Sequence, residues 1–139
     1  MYLTQTLHQA LQQGPDLPIS VFGERTRTVA ECAERVARFA GALRELGVVE
    51  GDRVGILAFN SDRYHEYLLG VPWADAVLNP VNIRWSPAEI SFSLVESQTR
   101  VLLVDDTVAP MVPALRGAHP QLATVIFIGD GATPDGMFG

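Results

Sequence analysis

Four short apolar runs recur at near-equal intervals along the chain, at residues 54–59, 76–81, 101–104 and 125–128, with Val54, Val77, Val101 and Val125 in matching places. Between them lie stretches with helical spacing of apolar residues, at 61–73, 86–97 and 108–117. A strand that is apolar on consecutive residues is buried on both faces. Such strands, alternating with helices of this length, join by right-handed crossovers into a parallel sheet. The pattern predicts an α/β fold, a doubly wound, mostly parallel sheet of repeating strand-helix (βαβ) units over residues 53–128. The intervening residues are unlike one another, so this is a rhythm of supersecondary structure and not a sequence repeat.

Local signals set the ends of these elements. Ser86 is placed as an N-cap, with Pro87 at the first helical position and Glu89 at the third. Pro72 is expected to bend or end the first helix and Pro113 to weaken the last. Upstream, Leu3, Leu7 and Leu11 recur every fourth residue beside Ala10, which predicts a helical arm over residues 1–15, stopped by Gly14-Pro15. Ile19, Val21, Thr26 and Thr28 surround Gly23-Glu24, the pattern of a short hairpin over residues 18–28. Thr28 with Glu31 reads as a capping box, opening a helix whose apolar stripe is Val29, Cys32, Val36, Phe39, Leu43 and Leu46. Gly47 supplies its left-handed stop.

At 139 residues the chain suffices for one domain, and 47% apolar against 19% charged residues gives it the material for a core. The net charge of −6 repels polyphosphate backbones and anionic lipid, so no nucleic-acid partner is expected. All ten positive residues are arginine. The one cysteine, Cys32, lies in an apolar stripe and reads as a small buried hydrophobe. It forms no internal disulfide, as suits a reducing cytoplasm. The opening residues lack the pattern of a secretory leader, and the most apolar stretch, 67–81, is broken by Pro72, Asp75, Asn79 and Pro80. A cytoplasmic protein without a transmembrane segment is expected.

Parallel sheets of this kind bind ligands beyond the carboxyl ends of their strands, here Asn60, Asn79 to Asn82, Asp105-Asp106 and Gly129-Asp130-Gly131. The last of these lacks a third glycine and a following helical pattern, so it reads as a plain loop. A phosphate-binding P-loop requires a lysine that the chain does not have. Asp105 and Asp106 are acidic enough for a magnesium ion or a phospho-acceptor, but a receiver domain also uses a lysine, and the two read as turn former and helix cap. His8, His65 and His119 share no metal-ligand spacing with each other or with Cys32. His65 and Glu66 are read as a solvated helix face, and Ser61, without flanking glycines, as a capping serine. Asn82, Arg84 and Trp85 either face an acyl channel or partner surface or form a capped turn with a packed indole; the turn is preferred. No catalytic, cofactor-binding or metal-ligating residue is assigned.

Several blocks taken in order nevertheless resemble the opening of adenylate-forming enzymes, acyl-CoA synthetases above all. They are Thr28-Val-Ala-Glu31, Ala42-Leu-Arg-Glu-Leu-Gly-Val48, Gly51-Asp-Arg-Val-Gly-Ile-Leu57, Asn60-Ser61, Ala74-Asp-Ala-Val-Leu-Asn-Pro-Val-Asn82 and Ser86-Pro-Ala-Glu-Ile90. Asp75 departs from the pattern, which has glycine before the Ala-Val pair. The resemblance implies an ATP-dependent, AMP-forming fatty-acid or carboxylic-acid CoA ligase, which uses ATP, Mg2+ and coenzyme A. The family's Ser/Thr/Gly-rich loop ending in lysine, Thr-Glu motif, ribose-binding aspartate and mobile-domain lysine have no counterpart here. Residues 1–139 are therefore expected to form a single N-terminal subdomain, an incomplete half of the large N-terminal domain, inactive alone and acting as scaffold. Its expected partners are the remainder of the ligase or a second copy meeting through an uncovered surface. The competing readings are a free-standing α/β interaction or regulatory module and, less favoured, a receiver-like domain. Asp130 to Gly139 are read as a Gly/Pro-rich tail that leads into nothing.

Overall fold

A computed structural model describes residues 4–139, which form two compact units. Of the described residues, the first comprises 4–51 together with Asn60–Ala76, and the second comprises Asp52–Phe59 and Val77–Gly139. Leu3, counted in the predicted arm, lies outside the described residues.

In the first unit, helix α1 (Gln5–Gln13) buries Leu7 against the stripe of α2 (Val29–Glu45), where Val29, Cys32, Ala33 and Val36 are buried. Strands β1 (Pro18–Phe22) and β2 (Arg25–Thr28) pair antiparallel between these helices in the sequence. Gly23 turns the chain at φ +59°, a conformation that glycine adopts without penalty. Thr28 caps α2 by accepting from the Glu31 N–H at 3.2 Å, as its pattern predicts. Ser61 caps α3 (Asp62–Trp73) in the same way through the Tyr64 N–H. Pro72 sits in the last turn of α3, and the helix ends one residue later. Asp75 then lies at φ 61°, in the left-handed region. This accounts for the departure noted in the sequence, because aspartate is among the residues that tolerate the geometry glycine otherwise supplies. Helices α2 and α3 approach closely where Gly70 meets the Phe39 ring, leaving no room for a β-carbon.

The second unit is a four-stranded parallel sheet of order β4-β3-β5-β6, built from β3 (Arg53–Leu57), β4 (Val77–Pro80), β5 (Val101–Val104) and β6 (Thr124–Phe127). All four residues of β5 are buried, as are Val54 to Leu57 of β3, the consecutive burial expected of parallel strands. One face, carrying Leu57, Leu102, Val104, Val125 and Phe127, packs with Ile90 and Leu94 of α4 (Pro87–Glu96) and with Val112 and Leu115 of α5 (Val112–Ala118). Burying each such leucine contributes about 2 kcal/mol. Pro80, which cannot donate to a ladder, lies on the outer strand β4, where the sheet has no need of its N–H.

Two expectations are corrected here. Pro113 does not weaken a helix over 108–117, because the segment begins as a 3-10 turn at Ala109–Met111 and Pro113 lies in the opening turn of α5, where its missing N–H costs nothing. Nor does the chain after β6 lead into nothing. Phe138 forms a parallel bridge with Ile126, its carbonyl accepting from the Phe127 N–H at 2.6 Å and its N–H donating to Val125. The Arg116 guanidinium holds the Gly136 carbonyl, and Met137 packs on the core.

Candidate functional site

The strand order reverses between β3 and β5: from β3 the chain goes to β4 on one side, and from β5 to β6 on the other. In an open parallel sheet such a switch point is where a ligand crevice opens at the carboxyl ends. In this protein Asp105 spans it. One carboxylate oxygen accepts from the Phe59 N–H at 2.8 Å, and the other accepts from the Thr107 and Val108 N–H groups at 3.0 and 3.1 Å. Asp106 accepts from the Asp130 and Gly131 N–H groups at 2.9 and 3.1 Å. Gly129 passes so near Asp106 and Phe127 that a side chain there would collide with both.

Each oxygen of the two aspartates thus accepts at least one main-chain N–H, and the pair ties the strand-end loops together. A magnesium ion needs several oxygen ligands with free lone pairs, and no group of three metal-binding side chains is present among the described residues. Five of the ten arginines are engaged within the fold. Arg25 grips Asp62 through two nitrogens, at 2.7 and 2.9 Å, and Arg35 grips Glu66 at 2.6 and 3.1 Å. Arg44 and Arg53 donate to the carbonyls of Trp73 and Ser97, and Arg100 pairs with Asp52. These aspartates and these five arginines therefore offer no cradle for ATP and Mg2+.

The other residues singled out in the sequence are dispersed. Ser61 is a cap. The Asn79 amide donates to Ser97 Oγ and Thr99 Oγ1, and Asn82 accepts from the Arg84 N–H. His8 lies 4.7 Å from the Trp73 ring, in the first unit. His119 is buried and its Nε2 donates to the Thr99 carbonyl at 2.7 Å; a carbonyl only accepts, so the proton is on Nε2. Cys32 is 1% exposed, and burial together with the Glu66 charge pushes its thiol above the ordinary range, the reverse of what a nucleophile needs.

Two readings of side chains are overturned. Glu66 is not on a solvated face: it is buried and held by Arg35, whose guanidinium it keeps charged by the same hydrogen bonds. The Trp85 indole is not packed, being 41% exposed. Sequence reasoning also missed the Arg25–Asp62 and Arg35–Glu66 pairs, whose partners lie more than thirty residues apart with no local pattern to join them.

Comparison with known proteins places this geometry. The model of the AMP-binding enzyme family matches residues 7–137. The long-chain-fatty-acid–CoA ligase of Thermus thermophilus is 43% identical over 117 residues, covering 82% of this chain and 21% of its own. A fatty acid–[acyl-carrier-protein] ligase of Streptomyces coeruleorubidus is 34% identical over 128 residues, 92% of this chain and 24% of its own. Among solved structures, the fatty acyl CoA synthetase of Mycobacterium tuberculosis superposes with a TM-score of 0.80 at 30% identity, covering 90% of this chain and 26% of that one. The chain thus spans about a fifth to a quarter of the length of the curated relatives it matches.

Proposed function

Because the chain belongs to the AMP-binding enzyme family, we propose that it is the scaffold portion of an AMP-forming acid–thiol ligase and carries none of that ligase's catalytic groups. The whole reaction joins a carboxylic acid, of the fatty-acid class by likeness to the relatives above, first to AMP and then to coenzyme A. The observation that supports the division is the state of the switch point. Where this fold class opens its ligand crevice, Asp105 and Asp106 accept five main-chain N–H groups between them. Adenylation develops negative charge on phosphate oxygens, and its stabilisation needs free cations or a metal aimed at that place. The chain has no lysine to offer, and Arg25 and Arg35 are committed to buried carboxylates.

The role of these residues is then to hold a rigid half-sheet. The proposed partner is the remainder of the ligase, which brings ATP, Mg2+ and coenzyme A. The unreactive buried thiol accords with a cytoplasmic setting.

The test is acid-dependent exchange of labelled pyrophosphate into ATP. The chain alone should give none with short-, medium- or long-chain acids. Mixed with a polypeptide carrying the rest of a family ligase, from the position aligned with Gly139 onward, it should restore exchange. Exchange by the chain alone would overturn the scaffold reading, and failure to complement would favour a free-standing interaction module.

A further inference from the structure

We propose that Asn79 is a conformational clamp, which makes the outer strand β4 and the turn between α4 and β5 open and close as one unit. β4 lies at the rim of the sheet with β3 as its neighbour, and none of its four residues is buried, whereas all four of β5 are. A strand with so little apolar burial is the part of a sheet that opens locally first. Apart from Arg53 and Thr124, which begin their strands, Asn79 is the one polar side chain in the four strands. It stands beside Gly55 in the β3–β4 register. Thr99 uses the space that this glycine leaves, since a β-carbon at position 55 would stand 3.1 Å from Thr99 Cγ2 and 3.0 Å from Leu102 Cδ1. The Asn79 amide reaches Ser97 Oγ at 3.0 Å and Thr99 Oγ1 at 2.9 Å. Because β3 separates β4 from β5, this contact spans a strand.

The protons fix the direction of these bonds. Ser97 Oγ donates to the Ser93 carbonyl at 2.7 Å, so Thr99 Oγ1 is the donor in its 2.8 Å contact with Ser97 Oγ. With both hydroxyl protons engaged, each oxygen accepts, and the two N–H groups of the Asn79 amide supply one apiece. The two hydroxyls flank Gln98, which sits at φ 53°. A residue with a β-carbon holds that left-handed conformation only where its surroundings determine it. The turn has other ties. Gln98 and Thr99 donate main-chain N–H groups to Val95 and Leu94, the Arg53 guanidinium donates to the Ser97 carbonyl, and His119 donates to the Thr99 carbonyl. These run to α4, to β3 and to the segment after α5; among these ties, the Asn79 amide is the one to β4. Removing it therefore frees the strand while the turn stays held. The clamp is independent of the ligase chemistry.

Hydrogen exchange of the whole chain, followed by NMR over a series of low urea concentrations, tests this. The reporters are the Val77 N–H, which donates to the Asp52 carbonyl at 2.8 Å, and the Thr99 N–H, which donates to the Leu94 carbonyl at 3.0 Å. In the unaltered protein the two should share one opening free energy and one urea dependence. Asn79→Leu, of similar size but without the donors, should speed exchange at Val77 about tenfold more than at Thr99 or in β5. Thr99→Val keeps the shape and removes one acceptor; it should act in the same direction with a smaller factor, and it carries the test if Asn79→Leu does not fold. Val77 and Thr99 opening separately in the unaltered protein would overturn the proposal. So would a variant that speeds every amide by the same factor, which is a general loss of stability, or one that leaves Val77 unchanged.

Discussion

At the scale of single residues, polar and titratable groups divide into those that hold the fold and those that are merely quiet. Cys32 is quiet: burial raises its thiol above the ordinary value, so the neutral form favours the fold below that value and the contribution is lost as pH rises through the raised one. We expect iodoacetamide to label Cys32 in the native protein only as fast as the first unit opens, and at once in denaturant; fast labelling of the folded chain would contradict its burial. Asp105 holds the fold. Asp105→Ala removes acceptors for the Phe59, Thr107 and Val108 N–H groups and should cost about 2–3 kcal/mol in urea unfolding. A loss within a few tenths would mean that water replaces the carboxylate. Its turn-forming role was legible, because an aspartate two residues before Thr107 at a strand end is a local pattern. The Arg35–Glu66 pair was not, since nothing at position 66 announces a partner across 31 residues. Trp85 misled for a related reason: an indole after a strand is packed in most settings, and only the three-dimensional surface shows that it is not.

Elements were legible where their ends carry chemistry. The capping box of α4 formed as Ser86, Pro87 and Glu89 predicted, with Ser86 accepting from the Glu89 N–H and the Glu89 carboxylate accepting from the Ser86 N–H. Ser86→Ala should destabilise the protein by about 1 kcal/mol, read by urea unfolding. Those hydrogen bonds also hold the Glu89 carboxyl below its ordinary value. A lowered carboxyl contributes stability above its unfolded value and loses it as pH falls through the folded one. The gap in stability between the protein and Glu89→Gln should therefore close on acidification below about pH 4; a gap that widens there would contradict the assignment. Elements were illegible where the outcome depended on position within a turn. Pro113 reads as a breaker when the helix is started at residue 108 and as a good opener when it starts at Val112. The tail after β6 has a composition of turns, yet its Phe138 pairs with Ile126 through main-chain groups that composition does not reveal.

At the scale of the molecule, the rhythm of apolar runs disclosed a parallel sheet, but not the order β4-β3-β5-β6, because crossovers to either side leave the same spacing in the sequence. The reversal between β3 and β5 is the feature that matters for function. It puts the crevice of this fold class where Asp105 and Asp106 tie the loops, and it underlies the scaffold role proposed for this member of the AMP-binding enzyme family, whose sequence has no lysine. Pyrophosphate exchange by the purified chain, alone and then with the remainder of a family ligase, tests this most directly. The account predicts no exchange from the chain alone and acid-dependent exchange once the two are combined. Acyl-adenylate formation by the 139 residues alone would contradict it.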